Sequence, residues 1–278
     1  MPGTRSERVE PLRGFALQPG KAFEDIVNGA KLWRIWFALA WQEFASMYRR
    51  SLLGVFWVML SFAGFVFIKI LIFSSLLASE DAQYYDAYLV LGFFMWVYSQ
   101  QVIIAAPDTF VSAAGWIRSE PLPLSLYIYK SVMREIFNLS FTGAVVAIAL
   151  VYLKFPIGIE ALFAVPAIAF LILNAFVVKL LLGIVGAKAR DVAHLVRAAI
   201  LPMMFLTPIF WMPSQMSRIF HILWWNPLFH VLEIFRAPIL DRTFPAESWI
   251  YMICFFLIVS ILGFVLFSRF RQRIVFWF

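Results

Sequence analysis

Six long apolar runs constrain this chain more than any other feature, because a soluble domain has no use for so many helices that are apolar on every face. They lie at about residues 52–77, 87–105, 136–153, 161–185, 195–212 and 249–267, each close to the roughly 20 residues that a helix needs to cross a bilayer. Hydrophobic residues make up 63% and charged residues 14% of the chain, against about 45–50% and 25% in soluble domains. The expected fold class is therefore an all-α polytopic membrane protein with six transmembrane helices, in a permease domain over 49–278. Little of the 278 residues is left for a separate catalytic domain. The fifth run is the least regular, with Arg197 near its start and Pro202 and Pro208 inside it.

Charge placement gives the six runs an orientation. Arg5, Arg8, Arg13, Lys21, Lys31, Arg34, Arg49 and Arg50 precede the first run, whereas the next connection carries Glu80, Asp81 and Asp86 and no Lys or Arg. Basic residues return at Arg118, Lys130 and Arg134, at Lys188 and Arg190, and at Arg269, Arg271 and Arg273. The alternation predicts cytoplasmic N- and C-termini. The connection 213–248 is a partial exception, with Arg218, Arg236 and Arg242. Because the basic residues of this +7 chain are spread along cytoplasmic edges and form no continuous face, membrane lipids are the expected partner and nucleic acid is not. Residues 1–30 lack the apolar core of a cleavable signal, so the first run is expected to direct insertion. The one cysteine, Cys254, offers neither a disulfide nor a Cys-based metal site.

Three stretches do not fit the span pattern. After a cytoplasmic segment at 1–29, residues 30–48 carry Trp33, Trp36, Phe37, Ala40, Trp41, Phe44 and Tyr48 at three- and four-residue steps, interrupted by Lys31, Arg34, Gln42 and Glu43. That pattern predicts an amphipathic helix in the membrane interface. The loop 113–130, AAGWIRSEPLPLSLYIYK, mixes charge, apolar residues and a break at Pro121 and Pro123, as a short docking helix would. Residues 223–240, LWWNPLFHVLEIFRAPIL, are apolar and aromatic but are broken by Asn226-Pro227 and by Glu233, Arg236 and Pro238. They predict a re-entrant helical segment within 213–248, which is tolerated where protein or water covers its backbone and so points to a pathway or gate.

No catalytic constellation emerges. His194, His221 and His230 fall in no metalloprotease or nucleophile pattern. Asp191 and His194 are spaced to cap a helix start and touch headgroups more readily than to bind a metal. His230 and Glu233 share that spacing, which predicts a hydrogen-bonded pair holding a bent helix, with gating as the functional reading. Lys69 and Lys179 lie late in their runs, where snorkelling to opposite edges is expected. The nearest approach to a phosphate-binding loop, Gly183 to Lys188, has the wrong spacing, so energy for active transport has to come from a partner.

The order of four short motifs resembles a known family. Residues 48–57, YRRSLLGVFW, look like the entry to the first span of type-two ABC exporter permeases for polysaccharides, the group of O-antigen, capsule and teichoic-acid exporters. GWIRSEP at 115–121, ARDVAHL at 189–195 and WNPLFH at 225–230 are similar to that family's loop after span two, start of span five and loop before span six. The resemblance implies a homodimer of permeases in the bacterial inner membrane, bound to two copies of a separate ATPase that holds ATP and Mg. The chain itself would carry no cofactor, no metal and no catalytic residue. Arg118, Ser119, Glu120, Pro121, Leu122 and Pro123 would couple to the ATPase, and Arg49, Arg50 and Arg190 would meet the headgroup of a lipid-linked polysaccharide. Phe56, Trp57, Phe62, Phe205, Phe210, Trp211, Trp224 and Trp225 are candidates for an aromatic glycan pathway, though core packing or an aromatic belt explains each as well. Asn226, Pro227, His230, Glu233 and Arg236 would form the outer gate. A permease for a drug, lipid or other small molecule shares this architecture. A membrane-embedded transferase acting on lipid-linked sugars, and a passive channel or scaffold, are readings from other classes.

Overall fold

The computed structural model describes residues 17–76, 82–213 and 223–277, with side chains at all of these except 73–76. Arg5, Arg8, Arg13, the end of the first run at Leu77, Glu80, Asp81, Arg218 and His221 lie outside the described residues, as does 214–222 of the expected re-entrant region. The described chain is all-helical. In chain order the helices are α1 (Pro19–Lys31), α2 (Trp33–Ser46), α3 (Phe56–Leu76), α4 (Ala82–Ala105), α5 (Ala114–Ser119), α6 (Ser125–Tyr152), α7 (Ala164–Lys188), α8 (Asp191–Leu206), α9 (Pro227–Leu240) and α10 (Ala246–Ile274), with a 3-10 turn at Ile159–Phe163 before α7.

Among the described residues, four helices are long and apolar enough to cross a membrane: α4, α6, α7 with its 3-10 turn, and α10. Prolines and caps set most of their limits. Pro121 and Pro123 delay α6 until Ser125, from where it starts well before the expected 136 and absorbs Lys130 and Arg134. α8 starts at Asp191 and stops at Leu206, short of the expected 212, because Thr207 precedes Pro208 and is driven to an extended conformation (ψ 133°). Its 16 residues reach about 24 Å, less than a hydrocarbon core of about 30 Å.

Within the helix expected over 30–48, α2 covers Trp33–Ser46, and a further helix, α1, precedes it over Pro19–Lys31, mostly within the segment 1–29 for which no helix was expected. Leu32 leaves helical geometry (φ −82°, ψ 34°), and its N–H bonds to Gly29 O at 3.2 Å, a tightened turn that redirects the chain between α1 and α2. α2 packs on α6, while α1 packs on α6 and α10.

α4 is the central helix. Its residues from Tyr85 to Met95 are nearly all buried, and it contacts α3, α6, α7, α8 and α9. α7, which packs on α4, makes the most extensive helix–helix contact among the described residues with α10. Asn226 and Pro227, which read as a break in the sequence, are the start of α9: Asn226 Oδ1 accepts from Leu228 N–H at 3.0 Å and Pro227 takes the first helical position. At 14 residues α9 is too short to cross and is buried along most of its length against α4, α7 and α10. The bundle thus has an α5 end, holding α1, α2, α5 and the start of α6, and an opposite end, holding the start of α4, the α6–α7 connection and α9. Arg242 reaching Pro156 O at 3.0 Å ties that opposite end together.

Candidate functional site

Polar side chains gather at both ends of the bundle and also inside it. At the α5 end, Arg118 and Ser119 finish the short α5, Glu120, Pro121, Leu122 and Pro123 follow as an extended strap, and Arg118 to Pro121 are exposed. The strap is anchored from outside. Asp25 of α1, buried, accepts from Leu124 N–H at 3.2 Å and Ser125 N–H at 2.9 Å, and Arg271 of α10 donates to it at 2.7 Å. A carboxylate from another helix therefore supplies the cap that α6 lacks in its own sequence. Asp25→Ala is expected to lower stability by about 2–3 kcal/mol, and Asp25→Asn by less because an amide oxygen still caps. Thermal unfolding of the two purified variants checks the ranking.

Beside the strap, a cavity of about 510 Å³ is lined by Trp41, Gln42, Glu43 and Arg49 on one side and Trp116, Tyr127 and Lys130 on the other. Arg49 and Arg50 are exposed there, whereas Arg190 is the N-cap residue of α8. Lys130 pairs with Glu43 at 2.6 Å, and Arg134 bonds to the same carboxylate. Burial alone would raise the Glu43 carboxyl, but the bonds and charges of Lys130 and Arg134 outweigh it and hold the group below its ordinary range.

This pairing continues into the bundle. Arg134 bridges to Glu135 at 2.9 Å, Lys179 of α7 reaches the same Glu135 oxygen at 3.2 Å, and Ser131 accepts from Lys179 at 2.9 Å. The expectation that Lys179 snorkels to an edge is corrected: it is fully buried, because Glu135 and Ser131 one helix away give its ammonium partners inside the protein. Glu43, Lys130, Arg134, Glu135 and Lys179 thereby join α2, α6 and α7. Lys69, by contrast, is half-buried over the rings of Phe65 at 5.1 Å and Phe210 at 4.4 Å.

At the opposite end a cavity of about 640 Å³ is lined by Tyr84, Tyr88, Trp224, Phe229, Glu233, Arg236, Asp241, Phe244 and Glu247 among others. Arg236 is buried, donates to Pro208 O at 3.0 Å and to Glu233 at 3.1 Å, and lies 3.9 Å over the Tyr88 ring. The expected His230–Glu233 pair does not form. His230 instead contacts Ser248 Oγ at 3.0 Å and Trp224 O at 2.9 Å, because the Arg236 guanidinium, one turn on, is the better partner for a carboxylate. Tyr84 donates to Asp241 at 2.6 Å, and Tyr85 donates to Phe210 O at 2.6 Å. Tyr88 Oη lies 3.0 Å from Pro208 O. These three tyrosines near the start of α4 thus hold the turn after α8 and the rim of the cavity.

The aromatic residues singled out in the sequence do not form one file. Phe62 is buried and stacked on Phe93 at 5.5 Å, and Phe210 packs near the same ring at 6.4 Å. Phe56, Trp57, Phe205 and Trp225 are exposed on the flanks, with Trp57 bonded to Ser51 at 2.6 Å. Trp211 bonds to Phe205 O at 3.1 Å, and Trp224 lies edge-on to His230 at 5.1 Å. Sequence reasoning missed Tyr84, Tyr88, Asp241, Asp25 and Glu135, and the four-residue step from Tyr84 to Tyr88 was the one local signal available.

No curated protein gives a significant match to the chain. The family model described as ABC-2 type transporter matches residues 34–240, which runs from α2 through the strap after α5 and the central bundle to the last residue of α9. The chain therefore belongs to the ABC-2 type transporter family, as a membrane component of an ABC exporter.

Proposed function

We propose that this permease exports a lipid-linked polysaccharide of the O-antigen, capsule or teichoic-acid kind across the bacterial inner membrane. ABC-2 permeases in general dimerise and work with an ATPase subunit. In this reading two copies of the chain pair, two copies of the ATPase bind ATP and Mg, and the strap from Arg118 to Pro123 receives their motion. α3 and α8 join the four long helices to make six spans, both termini are cytoplasmic, and α9 is the re-entrant element at the outer face.

The observation that carries the cargo assignment is the cavity at the end opposite the strap. Sugars present apolar C–H faces beside hydroxyl groups, and here Tyr84, Tyr88, Trp224, Phe229 and Phe244 offer ring faces beside Glu233, Asp241 and Glu247. An apolar drug or lipid gains little from that many ionisable groups, since each costs desolvation without returning a hydrogen bond. Arg236 and its partners act as a latch between α9 and the turn at Pro208, so opening the gate means moving that turn.

Co-reconstitution with the ATPase, followed by measurement of ATP-dependent glycan export, tests the reading. Trp224→Ala and Phe244→Ala are each expected to lower export by about tenfold at equal protein level, the loss of roughly one stacking contact. Undiminished export in both variants would remove the cavity from the pathway. Export that proceeds without any ATPase would reject the mechanism, and glycan transfer by the isolated chain would favour the transferase.

A further inference from the structure

The cavity at the α9 end carries an uneven charge. Three carboxylates line it, Glu233, Asp241 and Glu247, against one cation among the described residues, Arg236. That cation is already engaged: it is buried, donates to Pro208 O at 3.0 Å and to Glu233 at 3.1 Å, and lies over the Tyr88 ring. Glu233 is thereby balanced by its partner. Asp241 and Glu247 are exposed, and among the described residues no ion pair holds either of them. Arg242, the residue after Asp241, turns away to Pro156 O.

Local structure accounts for one of these two charges and not for the other. Glu247 stands in the first turn of α10, where the helix dipole favours an anion. Asp241 is the C-cap residue of α9, at the end where the dipole disfavours one, and the partner of its side chain is the Tyr84 hydroxyl at 2.6 Å. A glycine, an asparagine or a cation suits a helix C-terminus better. The fold therefore keeps a negative charge at Asp241 against its local preference, in the wall of the cavity through which the cargo is proposed to pass.

We propose that this cavity selects its cargo by charge: it passes glycans whose repeat units are uncharged or carry an amino group, and turns away those with a carboxylate or phosphate in each repeat. Asp241 and Glu247 are the specificity-determining residues. The inference rests on the cargo reading above and narrows it, since phosphate-linked teichoic acids and acidic capsules fall on the rejected side. The hydroxyl groups of a neutral sugar donate to the exposed carboxylates. An anionic repeat meets the same carboxylates as like charges, with no uncommitted cation in the described wall to receive it. A cleft lined by one sign of charge changes the local concentration of a charged ligand by roughly tenfold or more. The ring faces take sugar C–H groups whatever the charge, so binding and selection come from different side chains.

Two measurements on the full chain test it. In the first, Ala246→Cys places a thiol in the cavity wall and Cys254→Ala removes the exposed native one. The cationic trimethylammonioethyl methanethiosulfonate is expected to modify that thiol about tenfold faster than the anionic sulfonatoethyl reagent, each rate being taken relative to 2-mercaptoethanol in solution. Asp241→Asn, which keeps an acceptor for Tyr84, combined with Glu247→Gln is expected to cut the ratio to about threefold, and so is salt at about 1 M, where the screening length is roughly 3 Å. In the second, the chain reconstituted with the ATPase is given two glycans of equal length on one lipid carrier, a neutral hexose polymer and a hexuronic acid polymer. Export of the acidic one is expected to be about tenfold slower, and the gap to close to about threefold in the double variant. Equal export of the two glycans, a reagent ratio near one, or a gap that persists in the double variant would each overturn charge selection and leave the cargo reading standing. Export of neither glycan would reject the cargo reading, and this proposal with it.

Discussion

Glu135→Leu is expected to destabilise the chain by about 3–5 kcal/mol, the cost of breaking a buried ion pair from one side. The substitution leaves Lys179, fully buried, with only the Ser131 hydroxyl, and frees Arg134 from its inner partner. Lys179→Met should cost less, because Glu135 then keeps Arg134 as a counter-charge. The double variant Glu135→Leu with Lys179→Met removes both interior charges and is expected to recover most of the loss. Thermal unfolding of the four proteins in one detergent reads this as a double-mutant cycle. A double variant as unstable as the sum of the singles would show that the two groups act independently. If the strap after α5 receives the ATPase's motion as proposed, the same variants should also uncouple hydrolysis from transport, because the pairs connect α2, next to that strap, to α7 in the middle of the bundle.

Gly186→Val is the second large effect, at about 3 kcal/mol, near the upper end of the usual overpacking cost. α7 crosses the turn after α4 so closely that a Cβ at Gly186 would sit 2.7 Å from Pro107 Cα and nearer still to its carbonyl oxygen. Backbone cannot rotate aside as a side chain can, so the turn has to move. That turn carries Asp108, which pairs with Arg197 of α8, and it leads directly into α5. The variant is therefore expected to disturb α8 and the strap after α5 together. Gly64→Ala is the control: a Cβ there meets nothing within 4 Å, and removing a glycine from the interior of α3 should be neutral or stabilising by about 0.5–1 kcal/mol. Equal melting temperatures for Gly186→Val and the unmodified chain would sink the close-contact account.

The parts of this molecule that follow local rules were legible in the sequence. Apolar runs long enough to cross announced α4, α6, α7 and α10, the Pro121 and Pro123 pair announced an interruption, and Asn226-Pro227 announced a boundary. Even there the boundary read as a break when it was a helix start, because an Asn–Pro pair both ends one helix and opens another. Long-range pairings left no such trace. Lys179 is one cation in an apolar run, and only the fold shows that Glu135, from another helix, faces it. Glu43 read as an interruption of an aromatic run, and its partners became clear once α6 brought Lys130 and Arg134 beside it.

The Asp25 anchor also bears on biosynthesis. Its backbone partners at Leu124 and Ser125 emerge from the ribosome early, but Arg271 lies 246 residues after Asp25, in the last turn of α10. Until that turn is made, a carboxylate with 1% side-chain exposure in the finished fold has no counter-charge. The anchor of the strap is thus completed only once α10 has been made, so a chain stalled before Arg271 would hold the start of α6 less firmly.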